Sequence, residues 1–142
     1  MVATTLKMNR KPLNRNAAIT QEIRISAKLW WDAVAPQCEQ FFFLSASFNG
    51  TQSDLHRERL LAKMDDCLNR VRRIPHDKPI KTLRRDLLSA MTNLQESLEA
   101  TLLDDAPRAT ERLHASLHDL QHFHVLLERL GLQYSSIVPL RH

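Results

Sequence analysis

The chain has 142 residues, 43% of them hydrophobic, and a formal net charge of +4, which suits one domain burying about two-thirds of its unfolded surface. Its two glycines, Gly50 and Gly131, exclude a P-loop and a G-x-G-x-x-G dinucleotide turn, both of which need close backbone approach to phosphate. No apolar run nears the roughly 20 residues of a membrane span, and Leu, Ala, Arg, Gln and Glu outweigh Val, which favours helix over sheet.

Residues 1–16 are polar and basic, with Lys7, Arg10, Lys11 and Arg15 and no acid. Without apolar periodicity they are expected to form a basic N-terminal arm, a reading preferred to a transit peptide. Asn16 is placed to cap a first helix. Within it Ile19, Ile23, Ala27, Trp30, Val34, Cys38, Phe41 and Phe48 recur at spacings of three and four. Pro36 is expected to kink or split this helix. Ile25, Leu29 and Phe43 fall on the opposite face and Trp31 and Phe42 on the flank, a set expected to form an oligomer interface. Asn49-Gly50 supplies residues that tolerate a left-handed backbone at the helix end.

The second helix starts near Thr51 or Ser53 and carries a stripe of Leu60, Met64, Cys67 or Leu68, Val71 and Ile74. The third starts at Lys78-Pro79 and has the cleanest spacing of all: Ile80, Leu83, Leu87, Met91, Leu94, Leu98, Leu102. Asp104-Asp105-Ala106-Pro107 reads as a capping turn. A fourth helix follows through Leu113, Leu117, Leu120, His124 and Leu127 to Gly131. The expected fold is therefore all-α: an antiparallel up-down-up-down four-helix bundle over residues 17–131, with a Pro-kinked first helix and a C-terminal tail at 132–142.

Charge is unevenly spread along these elements. Residues 1–28 hold six basic residues against Glu22, and residues 70–85 hold seven against Asp77, so the remaining residues carry −7. The second cluster, Arg70, Arg72, Arg73, Lys78, Lys81, Arg84 and Arg85, straddles Pro75 and Pro79 at the elbow between two helices. Arg70, Arg72 and Arg73 suit a helix C-terminus, whereas Lys78, Lys81, Arg84 and Arg85 crowd a helix N-terminus, where an anion is welcome. With Lys7, Arg10 and Lys11 from the arm, this end is expected to form a basic pole, opposite an acidic pole at the other turns.

The remaining chemistry is sparse. There is no G-x-S-x-G elbow, and neither Cys38 nor Cys67 has a His near in sequence to activate it. The two cysteines have no zinc-type spacing and are expected as reduced, partly buried thiols of an intracellular protein. His114, His118 and His122 recur every four residues, and Glu111-x-x-His114 matches half of a carboxylate-bridged di-iron pattern. A second Glu-x-x-His is missing, so the stripe is expected to be a solvated polar face, and His124 a core or interface histidine with a hydrogen-bond partner.

These features point to a non-enzymatic, cytoplasmic bundle without metal or cofactor, working by binding as a homo-oligomer. The expected partner is a nucleic-acid backbone, RNA or DNA, at the basic pole. The alternative is a protein-interaction or regulatory bundle facing an acidic protein, with a metal-binding helical protein third. Small basic four-helix bundles that serve as RNA- or DNA-associated accessory subunits share this size and architecture, a likeness of fold alone.

Overall fold

The computed structural model describes residues 2–132, with side chains from Gln21 onward. The described residues form four helices: α1 Val2–Ala46, α2 Asp54–Arg73, α3 Lys81–Leu102 and α4 Ala106–Arg129, with a 3-10 turn at Lys78–Ile80 running into α3. Among the described residues there is no strand, and no helix is long and apolar enough to cross a membrane. The all-α four-helix architecture is the one the apolar spacing implies. The tail at 133–142 lies outside the described residues.

α1 departs from expectation at its start, and at Pro36 it is not split. It begins at Val2, so residues 2–16 are helix and Asn16 is no cap. Residues such as Ala, Leu, Met, Lys and Arg favour helix by propensity alone, so a helix can form where no apolar period announces it. The helix also runs on through Pro36 instead of splitting there. Pro36 and Asp32 are both exposed, so the Asp32 carbonyl, which the proline deprives of its donor, has water available.

The helix ends are set by individual side chains. Ser53 caps α2, its Oγ accepting from the His56 N–H at 3.1 Å, and Pro75 stops the same helix. Asn49 and Gly50 do not adopt the left-handed backbone expected of them. The positive-φ residues are Asp104 (φ 58°) and Gly131 (φ 70°). The Asn49 side chain instead builds the α1–α2 turn, accepting from the Thr51 N–H at 3.0 Å. At the end of α3, Asp105 N–H donates to the Ala100 carbonyl at 2.8 Å and Asp104 N–H to Thr101 at 3.1 Å, a Schellman closure with Asp where Gly is usual. Asp105 then caps α4, accepting from the Arg108 N–H.

The core contains Ala27, Trp30, Val34, Cys38 and Phe41 from α1, Leu60, Met64, Cys67, Leu68 and Val71 from α2, and Ile80, Leu83, Leu87, Met91 and Leu94 leading into and along α3. α4 is phased differently from its expected seam. Ser116, Leu120, Phe123 and Leu127 are buried, while Leu113 and Leu117 are exposed.

The reason lies in how α4 meets its neighbours. Against α3 it packs closely over small residues: Ser116 Oγ donates to the Ala90 carbonyl and Ser97 Oγ to the Ala109 carbonyl, each at 2.6 Å. Partners rise in number on α3 as they fall on α4, from Asp86–His122 through Ser89–Asp119 to Ser97–Ala109. Toward α1 the spacing is wide, and among the described residues no Cα of α4 comes within 8 Å of a Cα of α1. Rings fill that gap: Phe123 lies 5.5 Å from Trp31 and 6.3 Å from Trp30, between centroids.

Candidate nucleic-acid interface

The elbow between α2 and α3 is a held structure. Ile80 is buried beneath it. Asp77, which gives no side-chain cap to the turn that follows it, instead accepts from Ser26 Oγ of α1 at 3.0 Å. Arg24, two residues earlier, lays its guanidinium beside Gly131. The elbow, the Arg24–Ser26 level of α1 and the end of α4 therefore share one end of the bundle.

Six of the seven elbow cations are exposed: Arg70, Arg72, Arg73, Lys78, Lys81 and Arg85. Arg70, Arg73, Lys78 and Lys81 make no ion pair with a described residue. Arg72 donates to Asn69 Oδ1 at 3.1 Å, and Arg85 Nε stands 4.0 Å from Asp86 Oδ1. Arg84 has a structural task, because its Nη2 donates to the Arg72 carbonyl at 3.1 Å. That carbonyl belongs to the last turn of α2, where intrahelical donors are missing, so Arg84 caps α2 from α3. The side chains of Lys7, Arg10 and Lys11 lie outside the described residues.

Along the outer side of α3 the cations border an open hollow of about 620 Å³ lined by Lys81, Thr82, Arg84, Arg85, Leu88, Ser89, Thr92 and Asn93. Lys81, Arg85, Thr82 and Thr92 offer donors there of the kind phosphate oxygens require, while Ser89 and Asn93 already donate to Asp119 and Arg84 to the Arg72 carbonyl. The sequence argument missed Thr82, Ser89, Thr92 and Asn93. Their signal is the helical spacing that places them alongside Lys81 and Arg85, a pattern without apolar residues to draw attention to it.

Two carboxylates border this face: Asp119 accepts from Ser89 Oγ at 2.6 Å and from Asn93 Nδ2 at 3.1 Å, and Asp86 is drawn toward α4. Asp86 is only 8% exposed, and its Oδ2 lies 2.5 Å from His122 Nδ1 on α4. His122 is thus engaged with α3, whereas His114 and His118 are exposed. Among the described residues no group of three or more His, Cys, Asp or Glu side chains is placed to hold a metal ion. His124 is half-buried beside the seam, and its Nε2 meets Glu128 at 2.8 Å.

The expected oligomer face divides in two. Ile25, Leu29 and Phe43 are exposed on α1, at 52%, 68% and 64%. Trp31 and Phe42 are buried inside the monomer, Trp31 against Phe123 across the wide α1–α4 gap and Phe42 against Phe41, and so they leave the interface set. Burial pushes the Cys38 thiol far above its ordinary value of 9.0, helped by the neighbouring Cys67. Cys67 is raised by the same cause, opposed by Arg70. Both are poor nucleophiles in the folded state.

Fold and elbow together define a four-helix bundle with one cation-rich corner whose charges are largely unpaired. Set beside known proteins, the chain matches no family model, no curated protein and no solved structure.

Proposed function

We propose that this protein is a non-enzymatic, cytoplasmic binder of nucleic-acid backbone, acting through the α2–α3 elbow and assembling as a homo-oligomer through the outer face of α1. The observation that carries the reading is the hollow on α3, where the exposed Lys81 and Arg85 stand beside Thr82 and Thr92, next to the further exposed cations of the elbow. A surface that needed only solubility would gain nothing from crowding cations at a helix start, where they oppose the dipole. Phosphate relieves that repulsion.

Sequence preference is expected to be weak, because no element here is shaped to read base edges. Fluorescence anisotropy with generic duplex and single-stranded probes tests the reading. About four to six phosphate contacts imply a slope of log K against log salt of roughly −3 to −5. Lys81→Glu with Arg85→Glu should lower affinity at least tenfold and leave the circular dichroism unchanged, since both side chains are exposed. Arg84 is spared because it caps α2. Absence of binding to DNA and RNA at low salt and micromolar protein sinks the proposal and leaves an acidic protein as the partner to seek.

A further inference from the structure

We infer that the hollow between α1 and the elbow takes one unpaired base of a single strand, while the elbow cations hold the phosphates on either side of it; this rests on the backbone-binding reading and names the form of nucleic acid that suits it. The hollow has a volume of about 270 Å³, below the ~300–1,000 Å³ of pockets that hold drug-sized ligands. A single ring system is what it can enclose. Trp30 of α1 and Ile74 at the end of α2, buried and half-buried, form its deeper wall, and the exposed Ala33, Pro75 and His76 form its rim. An indole, an imidazole and apolar side chains are the surfaces on which an unstacked base settles.

Charge decides which part of a nucleotide enters. Ser26 and Asp77 also line the hollow, joined by the 3.0 Å bond from Ser26 Oγ to Asp77 Oδ2. That carboxylate keeps a phosphate out, whereas a base is neutral. The cations lie immediately outside. Arg73 is two residues before Pro75, Lys78 follows Asp77, and both are exposed. A strand with its base in the hollow has phosphates for these two side chains.

Trp30 also has a donor unspent. Its Nε1 is buried without a hydrogen-bond partner among the described residues, which is unusual for an indole N–H. The bases all carry acceptors, so a bond to that donor does not select among them. A duplex keeps its bases paired and stacked, and fills the hollow only by giving one up.

The test keeps the backbone charge constant and removes the bases. Anisotropy and tryptophan emission are measured on the full-length protein with an oligothymidylate and with a strand of abasic sites of the same length, at one salt concentration. The oligothymidylate should bind at least about fivefold tighter and quench the emission, and the abasic strand should bind without quenching. Ala33→Phe, at an exposed position bordering the hollow, should fill it. The oligothymidylate should then fall to the affinity of the abasic strand, with that strand's affinity and the circular dichroism unchanged. Equal affinity of the two strands for the unmodified protein overturns the base site and leaves the backbone reading standing. A base-dependent gain that survives Ala33→Phe does the same. Binding of neither strand removes both.

Discussion

Removing the Phe123 ring tests the seam on which closure of the bundle depends. Phe123 is fully buried and holds contacts with both Trp30 and Trp31 across a gap that the α1 and α4 backbones do not close. Phe123→Ala should cost about 3–5 kcal/mol in cavity and lost burial. Set against a total of about 5–15 kcal/mol, that is a large share. At roughly 2.1 cal/mol/K of unfolding entropy per residue, the melting temperature should fall by roughly 10–17 °C. Phe123→Leu, which keeps most of the apolar bulk, should lose chiefly the two ring pairs, about 1–3 kcal/mol. Urea denaturation followed by far-ultraviolet circular dichroism gives the global cost, and tryptophan emission reports the seam itself. Phe43→Ala, at an exposed ring, is the control and should cost under about 0.5 kcal/mol at low protein concentration. If Phe123→Ala costs no more than that control, the rings do not close the bundle and the account of the α1–α4 seam fails.

Asp104→Gly should raise stability by about 1 kcal/mol, because a left-handed backbone is costly for any residue but glycine; a loss measured in urea would contradict the assigned turn. Arg84→Met, which keeps the side chain's bulk but removes the donor to the Arg72 carbonyl, should cost about 1–3 kcal/mol, whereas Arg85→Met should be neutral within about 0.5 kcal/mol. The buried thiols give an alkaline signature. Their folded values are raised above 9.0, so their contribution is complete below pH 9 and is lost as pH rises beyond it. Stability should decline as pH rises above 9, and Cys38→Ala with Cys67→Ala should flatten that decline. At pH 8 neither thiol should react with a maleimide until urea unfolds the chain, which mass spectrometry would show directly.

Spacing of three and four recovered most of the buried positions in α2 and α3, because those helices present a stripe of large apolar residues to the core. It failed on α4. There the contact with α3 needs a small residue, and Ser116, polar by composition, is buried with its hydroxyl spent on the Ala90 carbonyl. Phe123 lies one position from the expected His124 and escaped a count keyed to leucines. On α1 the buried face is wider than one stripe: Trp31 reaches toward α4, and Phe42 is buried edge-on to Phe41. The basic elbow was legible because charge clusters survive in one dimension. What was not legible was the division of labour inside it: Arg84 as a cap, Asp86 as a partner for His122, and the donors of α3 beside them.

The unequal seams of α4 imply an order of assembly. Two serine-to-carbonyl bonds, the Ser89–Asn93–Asp119 cluster and the Arg112–Glu96 pair at 3.2 Å join segments that are neighbours in sequence, separated only by a Schellman turn. Contacts of low sequence separation close their loops at little entropic cost. The α3–α4 hairpin is therefore the natural nucleus, and its amide protons should be the last to exchange with deuterium in the native state. α1, whose Cα atoms stay more than 8 Å from those of α4 among the described residues, is expected to open first.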